Sequence, residues 1–171
     1  MIYEPREDSL MLEKHVKKYA HGRALDVGTG SGIQAKAAME RTSDVLAVDI
    51  DPEAVKYARK LGIQAVVSDL FMNVKGTFDV IIFNPPYLPE EAGEDNDLRR
   101  QISGGKEGNE LLMRFLKEAK NHLEEHGIIL LVVSSLTKDA FKLFEQYNYK
   151  CSMLEEQGFD FETIYACLLS L

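Results

Sequence analysis

The amino-acid sequence predicts an α/β fold, in which a mostly parallel sheet carries helices on both faces. From Arg23 onward, short β-branched or aliphatic runs alternate with helical patterns, as they do in chains of β-α-β units. The C-terminal tail departs from this alternation, because two consecutive strand-like runs joined through Gly158 predict a hairpin. We therefore expect a seven-stranded sheet, mostly parallel, with an antiparallel strand contributed by the C-terminal hairpin.

Five continuous apolar runs predict the parallel strands, since a strand that is buried on both faces lacks the alternation of a half-exposed one. These runs cover residues 24–27, 45–48, 65–67, 78–83 and 128–133. The two hairpin strands are expected at residues 149–154 and 161–169.

Apolar residues at helical spacing predict four helices. These helices cover residues 8–19, 33–41, 52–61 and 110–123. Pro52 suits the first position of a helix, and Asn109 suits an N-cap. Gly127 is expected to act as a helix C-cap, which would place His126 on a terminal helical turn.

The run His-Leu-Glu-Glu-His, from His122 to His126, matches a zinc-protease pattern. A catalytic zinc site needs a third protein ligand, and none stands out nearby. We expect no metal site.

Composition limits the classes of protein to which the chain can belong. At 171 residues it fits one domain over residues 1–171, in which residues 1–22 form an N-terminal arm and helix. Its 20 Lys and Arg against 28 Asp and Glu give a net charge of −8, which disfavours a long surface that follows nucleic-acid phosphates. No apolar run approaches the roughly 18 residues of a membrane span, and the N-terminus lacks a signal-peptide core. We expect a soluble, cytoplasmic protein.

The two cysteines, Cys151 and Cys167, each fall inside a predicted hairpin strand. Two buried thiols are therefore expected rather than a cysteine-rich metal site. The hairpin would bring the two side chains nearly opposite each other, so the sequence leaves open whether they form a disulfide.

A glycine-rich turn follows the first predicted strand, at the position where open α/β sheets bind ligands. Its residues are Gly28, Thr29, Gly30, Ser31 and Gly32. The dinucleotide fingerprint would require a glycine where this chain has Ile33, and no Lys-Ser or Lys-Thr pair completes a nucleotide-triphosphate loop. The turn therefore favours a ligand other than a dinucleotide or a triphosphate.

Aspartates at the ends of successive strands suggest what that ligand is. Asp49 follows the glycines by about 20 residues, where a carboxylate can accept both hydroxyls of a ribose. Asp69 can accept from an adenine amino group, while Ile50 and Leu70 offer apolar surfaces to the ring. Asp26 could balance an ammonium group. Together these residues describe a ligand with an ammonium, a ribose and an adenine but no phosphate, and S-adenosylmethionine has those parts.

The run Asn84-Pro85-Pro86-Tyr87, directly after the fourth predicted strand, can receive a planar NH2 group. Proline has a fixed φ and restricts the residue before it, so Asn84 and Pro85 are held stiffly. The Asn84 side-chain oxygen and the Pro85 carbonyl can each accept one hydrogen of an amine, while the Tyr87 ring stacks on its plane. Two such acceptors would orient the nitrogen lone pair toward an incoming methyl group. The motif thus predicts methylation of a nitrogen.

Taken together, the chain resembles the class I methyltransferases and, within them, the HemK-type glutamine N5-methyltransferases that modify peptide-chain release factors. The resemblance covers nearly the whole chain and implies the Rossmann-like fold of that class. Its first segment is similar to the archaeal and eukaryotic branch. The segments that carry it are Tyr-Glu-Pro-Arg-Glu-Asp-Ser (3–9), Asp-Val-Gly-Thr-Gly-Ser-Gly (26–32), Asp-Ile-Asp-Pro-Glu-Ala (49–54), Asp-Leu (69–70), Asn-Pro-Pro-Tyr (84–87) and Gly-Gly-Lys-Glu-Gly (104–108).

The resemblance implies methyl transfer from S-adenosylmethionine to the glutamine of the Gly-Gly-Gln loop in a release factor, and work with a small zinc-binding activator subunit. It maps residues 84–87 onto the substrate amide. We interpret residues 104–108 as a mobile lid or substrate loop. The cofactor-contacting positions that the resemblance implies are Ser9, Asp26, Gly28, Asp49, Asp69, Leu70 and Asn84.

Alternatives to this substrate remain open. The Asn-Pro-Pro-Tyr signature is shared with enzymes that methylate exocyclic amines of DNA or RNA, and eukaryotic relatives are associated with lysine methylation. A non-catalytic methyltransferase-like subunit that binds a partner is a further alternative, against which the intact signature argues.

Overall fold

The computed structural model describes residues 6–86 and 109–171. In chain order, the helices and strands are α1 Glu7–Tyr19, β1 Arg23–Val27, α2 Ile33–Met39, β2 Asp44–Asp49, α3 Pro52–Lys60, β3 Gln64–Val67, β4 Phe78–Phe83, α4 Glu110–Ala119, β5 Leu123–Ser134, α5 Ala140–Gln146, β6 Lys150–Gly158 and β7 Thr163–Ser170.

Seven strands form one sheet in the order β3-β2-β1-β4-β5-β7-β6. Strands β3, β2, β1, β4 and β5 are parallel neighbours, whereas β7 is antiparallel to both β5 and β6. The strand order changes direction between β1 and β4, where sheets of this kind bind ligands at the carboxyl edge. The α/β fold with a C-terminal antiparallel hairpin, predicted from the sequence, is confirmed.

Helices cover both faces of the sheet, because the central strands are apolar on both sides. On one face, Leu12 of α1 and Val55 of α3 lie in a core with Ile82 of β4. On the other face, the ring of Phe115 in α4 stacks on Phe83 of β4, with 4.1 Å between the ring centroids. Both cores thus hold β4 firmly in place, up to its last residue before Asn84.

Strand β5 begins earlier than the sequence predicts. Helix α4 ends at Ala119, and a 3-10 turn over Lys120–His122 leads directly into β5 at Leu123. Leu123 pairs with Phe78 at the start of β4, so the sheet holds this segment in an extended conformation. Tertiary pairing overrides the helical apolar spacing on which the prediction was based.

Gly127 consequently lies within a strand, and the prediction that it caps a helix is wrong, as is the placement of His126 on a helical turn. A Cβ atom at Gly127 would lie 2.9 Å from both the Leu123 side chain and the Phe78 carbonyl oxygen. The glycine is needed because β5 approaches β4 closely here.

Helix α5 is an element that the sequence analysis does not predict, since its seven residues are too few to show a clear periodicity. Asn109 precedes α4 as expected, but its side chain does not cap that helix. The Asn109 Nδ2 instead donates to the Lys138 carbonyl oxygen at 3.0 Å and so joins the starts of α4 and α5.

The two cysteines are free thiols on neighbouring strands. Cys167 is buried, but Cys151 is exposed because β6 is the edge strand, which corrects the expectation of two buried thiols. Cys151 pairs with Leu169 and Cys167 with Met153, so the two cysteines lie diagonally rather than opposite each other.

Within the described residues, no helix combines the length and the apolar character needed to cross a lipid bilayer.

Candidate active site

The ends of β1, β2, β3 and β4 meet at the carboxyl edge of the sheet, because these strands are parallel neighbours. The glycine turn follows β1, Asp49 ends β2, Asp69 follows β3 and Asn84 follows β4. The sequence-predicted site residues in the described part of the chain therefore lie along one edge. Ser9 belongs to the first turns of α1 and reaches this edge through its contact with Asn84.

The glycine turn combines a left-handed backbone with an open outer side. Gly28 and Gly30 have φ values of +69° and +49°, which residues other than glycine rarely adopt. A Cβ atom at Gly28 would come no closer than 4.0 Å to Phe83, and one at Gly30 no closer than 4.0 Å to the Gly28 oxygen. A ligand can therefore approach the backbone at both positions.

Gly32 has a different reason to be glycine. Its φ is also positive, at +78°, but a Cβ atom there would lie 2.8 Å from the Ile63 side chain. This glycine allows the start of α2 to pack against the turn that precedes β3. Its predicted cofactor role therefore lacks the open surface found at the other two glycines.

Asp26, near the end of β1, holds the glycine turn through hydrogen bonds of its side chain. Its Oδ2 accepts hydrogen bonds from the Thr29 hydroxyl at 2.6 Å and from the Ala35 backbone N–H at 3.1 Å. The carboxyl is fully buried, and this burial raises the pKa of Asp26 to about 7, although the two hydrogen bonds oppose the shift. Asp26 and Thr29 thus hold the turn in shape through contacts within the protein.

Asp49 lies beside the turn and faces the open side of the site. Its Oδ2 accepts from the Gly30 N–H and its Oδ1 from the Asp51 N–H, both at 2.9 Å. Burial raises the pKa of Asp49, and these backbone hydrogen bonds oppose the shift. A carboxylate has about four acceptor sites, so Asp49 keeps acceptor capacity for a ribose hydroxyl. The next side chain, Ile50, is 55% exposed and offers the apolar surface predicted for the adenine ring.

The turn after β3 carries Asp69 and Leu70. Leu70 has a φ of +46°, an unfavourable conformation that is held by a hydrogen bond from the Ser68 hydroxyl to the Leu70 carbonyl oxygen at 2.8 Å. Asp69 Oδ2 forms an ion pair with Arg114 Nη2 of α4 at 3.0 Å. This ion pair joins the predicted adenine side of the site to the helix on one face of the sheet.

The contacts of Asn84 fix the orientation of its side-chain amide. Its Nδ2 donates to Asp8 Oδ2 at 2.9 Å and to the Ser9 hydroxyl oxygen at 3.2 Å. Both partners are buried residues of α1. The Asn84 Oδ1 atom is also buried, and within the described residues it has no hydrogen-bond partner. A buried carbonyl oxygen without a partner is unfavourable, so this atom is well suited to accept from a ligand.

The orientation of the Asn84 amide follows from the chemistry of Asp8. A carboxylate can only accept hydrogen bonds, so the NH2 end of the amide must face it and the oxygen must face away. The sequence predicts an acceptor at Asn84, and in the structure that acceptor is buried and has no partner among residues 6–86 and 109–171. Pro85 follows as a buried residue, and Pro86 is half-buried.

Comparison with known proteins assigns the chain to a family. Residues 7–161 match the family model of the methyltransferase small domain. The chain belongs to this methyltransferase family. The match covers every described residue of the site, from Asp8 in α1 to Asn84 after β4.

The relatives in this family include glutamine methyltransferases. The chain is 37% identical over 174 residues to a protein of Methanocaldococcus jannaschii assigned as a protein N5-glutamine methyltransferase, an alignment that covers 95% of this chain and 88% of the relative. It is 32% identical over 152 residues to the mouse methyltransferase HEMK2, covering 77% of this chain and 71% of HEMK2. The HemK-type resemblance drawn from the sequence is confirmed.

A solved structure shares the whole architecture. A chain of the E. cuniculi Mtq2–Trm112 complex, which is responsible for methylation of the eRF1 translation termination factor, superimposes with a TM-score of 0.79 at 26% identity. The superposition covers 98% of this chain and 97% of that chain.

S-adenosylmethionine is the methyl donor of this family, and the observed edge fits it. Gly28 and Gly30 leave the backbone open to a ligand, and the carboxylate of Asp49 lies beside them at the end of β2. No group of three or more His, Cys, Asp or Glu side chains in residues 6–86 and 109–171 is arranged to hold a metal ion.

Sequence reasoning missed two side chains of the site. Asp8 lies inside the 3–9 segment that carries the family resemblance, yet it was given no role. Gln34 donates from Nε2 to the Ser9 carbonyl oxygen at 2.9 Å and so joins α1 to α2 beside Asn84. In the sequence it is marked only as a polar residue at the start of an alanine-rich helix that directly follows the glycine turn.

Tyr87, residues 3–5 and the Gly-Gly-Lys-Glu-Gly segment at 104–108 lie outside the described residues. The ring stacking predicted for Tyr87 and the lid or substrate role of residues 104–108 stay predictions.

Proposed function

We propose that this chain methylates the N5 side-chain nitrogen of a glutamine in a peptide-chain release factor, with S-adenosylmethionine as the donor. The observation that carries the proposal is the Oδ1 of Asn84 at the carboxyl edge of the sheet, which is buried and has no hydrogen-bond partner in the part of the chain that the structure describes. A side-chain amide has two N–H groups to offer such an acceptor. The named activities of the M. jannaschii and E. cuniculi relatives support glutamine and a termination factor as the substrate.

At the acceptor, Asn84 acts by orientation. Its Oδ1 accepts one N–H of the substrate amide, and the Pro85 carbonyl oxygen accepts the other. These two contacts favour a pyramidal nitrogen, since they draw the hydrogens to one side and expose the lone pair on the other. Asp8 and Ser9 hold the Asn84 amide through its Nδ2. We propose that the Tyr87 ring stacks on the plane of the substrate amide.

At the donor, S-adenosylmethionine supplies a methyl group on a positively charged sulfur. Asp49 is positioned to accept from the ribose hydroxyls, and Asp69 to accept from the adenine amino group. Ile50 and Leu70 supply apolar contacts to the adenine ring, while Gly28 and Gly30 allow close approach of the backbone. Asp26, Thr29 and Gly32 act indirectly, because their observed contacts shape the turn.

A small activator subunit is part of the proposal, because the E. cuniculi relative occurs as a complex with Trm112. We further propose that this activator binds zinc, that residues 1–171 act as one methyltransferase domain, and that the protein works in the cytoplasm, where it would meet a translation factor.

The test is a methylation assay with S-adenosylmethionine labelled on its methyl group. The chain, alone and with a Trm112-type subunit, is incubated with the cognate release factor, and mass spectrometry of the digested product locates the label. We expect the label on the glutamine of the Gly-Gly-Gln loop. Label on a lysine, or transfer only to DNA or RNA in parallel reactions, would contradict the proposed substrate.

A variant tests the role of Asn84 in the same assay. Asn84→Ala should lower kcat by about 100- to 1,000-fold, the range seen when one preorganised polar group is removed from an active site. Binding of S-adenosylmethionine, measured by calorimetry, should change much less than kcat. Asn121→Ala is the matched control, because Asn121 is exposed on the 3-10 turn before β5, at the opposite edge of the sheet. Unchanged turnover of Asn84→Ala would rule out the proposed mechanism.

A further inference from the structure

The tip of the β6–β7 hairpin lies on the same edge of the sheet as Asn84. We define the hairpin tip as Phe159, Asp160, Phe161 and Glu162. Strand β7 runs antiparallel to β5, and Ile164 near its start pairs with Ser134 at the end of β5. The hairpin tip therefore projects from the carboxyl edge.

The strand order places the hairpin tip on the acceptor side of the site. The predicted cofactor residues lie at the ends of β1, β2 and β3, on one side of β4, whereas β5, β7 and β6 lie on the other side. Neighbouring strands are roughly 4.8 Å apart, so β7 lies about 10 Å from β4 across the sheet. A polypeptide whose side chain meets Asn84 can extend over β5 and reach the hairpin tip within a few residues.

The hairpin tip is held in one conformation by hydrogen bonds to the end of β5. The Ser134 hydroxyl donates to Glu162 Oε1 at 2.6 Å, and the Thr163 N–H donates to the Ser135 hydroxyl oxygen at 3.0 Å. Within the turn, the Phe159 N–H donates to the Glu162 carbonyl oxygen at 2.6 Å. These bonds fix how the aromatic residues are presented.

Apolar side chains on this fixed turn face solvent. Phe161 is 94% exposed and Phe159 is 42% exposed. Leu136, which is 41% exposed, lies beside them, because its backbone N–H donates to the same Ser134 hydroxyl that contacts Glu162. Apolar side chains exposed together on a rigid surface are typical of a binding site for another protein.

The charged residues of the hairpin tip itself, Asp160 and Glu162, are both acidic, whereas Glu155 further back along β6 is paired with Lys14 of α1. Residues 151–171 contain no Lys or Arg, and their acidic residues are Glu155, Glu156, Asp160 and Glu162. Apolar side chains next to the two carboxylates of the hairpin tip complement a polypeptide that carries apolar and basic side chains.

We propose that the hairpin tip is a docking surface for the protein substrate, and that it binds an apolar and basic segment of that protein close to the methylated glutamine. This inference rests on the proposed function, since it names the occupant as the protein whose amide enters the site. Phe161 and Phe159 would supply apolar contacts, and Asp160 would supply electrostatic attraction. The residues recognise the substrate without touching the reacting atoms.

The test compares steady-state kinetics and binding for variants of the hairpin tip, with the release factor as substrate. Phe161→Ser should raise the KM for the release factor by about tenfold, as truncation of a central aromatic contact does, while kcat and the affinity for S-adenosylmethionine stay unchanged. Asp160→Lys should raise the KM further at low salt than at high salt. Dissociation constants for the release factor, measured by biolayer interferometry, should follow the KM values.

Two controls match these variants. Met39→Ser removes an apolar side chain of 43% exposure from the end of α2, at the opposite edge of the sheet. Glu125→Lys reverses an exposed charge near the start of β5, also at the opposite edge. Both controls should leave the KM unchanged.

The outcomes separate this inference from the proposed function. If the wild-type chain methylates the release factor and Phe161→Ser keeps the same KM, the docking role is refuted while the function stands. If the wild-type chain neither binds nor methylates the release factor, both proposals fail. If sedimentation shows that Phe161→Ser dissociates a dimer without changing the KM, the patch serves self-association and the docking role is again refuted.

Discussion

Replacement of Asp8 by alanine tests whether one carboxylate controls the orientation of the Asn84 amide. In the structure, Asn84 Nδ2 donates to Asp8 Oδ2 at 2.9 Å and to the Ser9 hydroxyl oxygen at 3.2 Å. A hydroxyl group can donate as well as accept, so Ser9 tolerates either orientation of the amide, whereas the carboxylate tolerates only one. We expect Asp8→Ala to let the amide turn over and withdraw its oxygen from the substrate.

The size of the effect follows from the bond that is lost. A hydrogen bond to a charged group contributes roughly 1.5–3 kcal/mol, and each 1.36 kcal/mol corresponds to a factor of ten in rate. If this energy serves to hold Asn84 in place, Asp8→Ala should lower kcat by about 10- to 150-fold. Ser9→Ala removes a neutral bond of about 0.5–1.5 kcal/mol and should lower kcat by about 2- to 10-fold.

The assay combines steady-state kinetics, with the release factor varied at saturating S-adenosylmethionine, with unfolding in urea. Asp8→Ala loses the hydrogen bond to Asn84, but it also removes Asp8 Oδ1, a buried acceptor that has no partner among the described residues. These two effects oppose each other, so the free energy of unfolding should change by no more than about 1 kcal/mol. The affinity for S-adenosylmethionine should also change little. A fall in kcat at nearly constant stability is what a positioning role predicts and what a purely structural role does not.

Glu7→Ala is the matched control for this variant. Glu7 precedes Asp8 in the first turn of α1 and is exposed, so the substitution removes the same charge from the same helix end. It should leave kcat unchanged. The reasoning would be refuted if Asp8→Ala kept kcat within twofold of the wild type, or if Glu7→Ala lowered kcat as much as Asp8→Ala.

Two further predictions concern the glycine turn and the aspartate below it. Gly30→Ala should lower the free energy of unfolding by about 1–2 kcal/mol, because its φ is positive, and should weaken S-adenosylmethionine binding. Gly32→Ala should lower the free energy of unfolding further, because its Cβ would also lie 2.8 Å from the Ile63 side chain. Urea unfolding and calorimetry would measure these changes, and the reverse order of stability would contradict the packing argument. Burial raises the pKa of Asp26 from 3.8 to about 7, so between these pH values the folded chain holds a proton that the unfolded chain has released. Asp26 therefore contributes stability at low pH that is lost as the pH rises toward 7, and Asp26→Asn should make the free energy of unfolding less dependent on pH between about 4 and 7; an unaltered pH dependence would contradict the assignment.

The sheet was predictable from the sequence because each central strand is a continuous apolar run that can be recognised without knowing its partners. The predicted run at residues 78–83 coincides with β4, since six apolar-rich residues buried on both faces leave little choice of boundaries. The start of β5 was not predictable, because Leu123 is extended only through its pairing with Phe78, far away in the sequence. Local periodicity favours a helix there, and the strand forms because a neighbouring strand is available.

The same distinction applies to the candidate site. Strand ends and glycines can be located along the chain, so the sequence could place Gly28, Asp49 and Asn84 at one edge. It could not predict which side of the Asn84 amide would be free, because the deciding partner, Asp8, lies 76 residues earlier. Sequence patterns identify groups that can accept a hydrogen bond, whereas the tertiary structure decides which of them remain unpaired.

Buried polar groups serve two different purposes in this site. One stabilises the fold, and the other is left to bind a ligand. Asp26 accepts two hydrogen bonds from its own chain and so stabilises a turn. Asn84 has both donor contacts fixed by α1, yet its acceptor has no partner within the described residues. A fold retains such an unfavourable atom when a ligand completes its hydrogen bonding. The free acceptor is therefore the feature that links this sheet to nitrogen methylation, since a substrate amide provides the missing N–H.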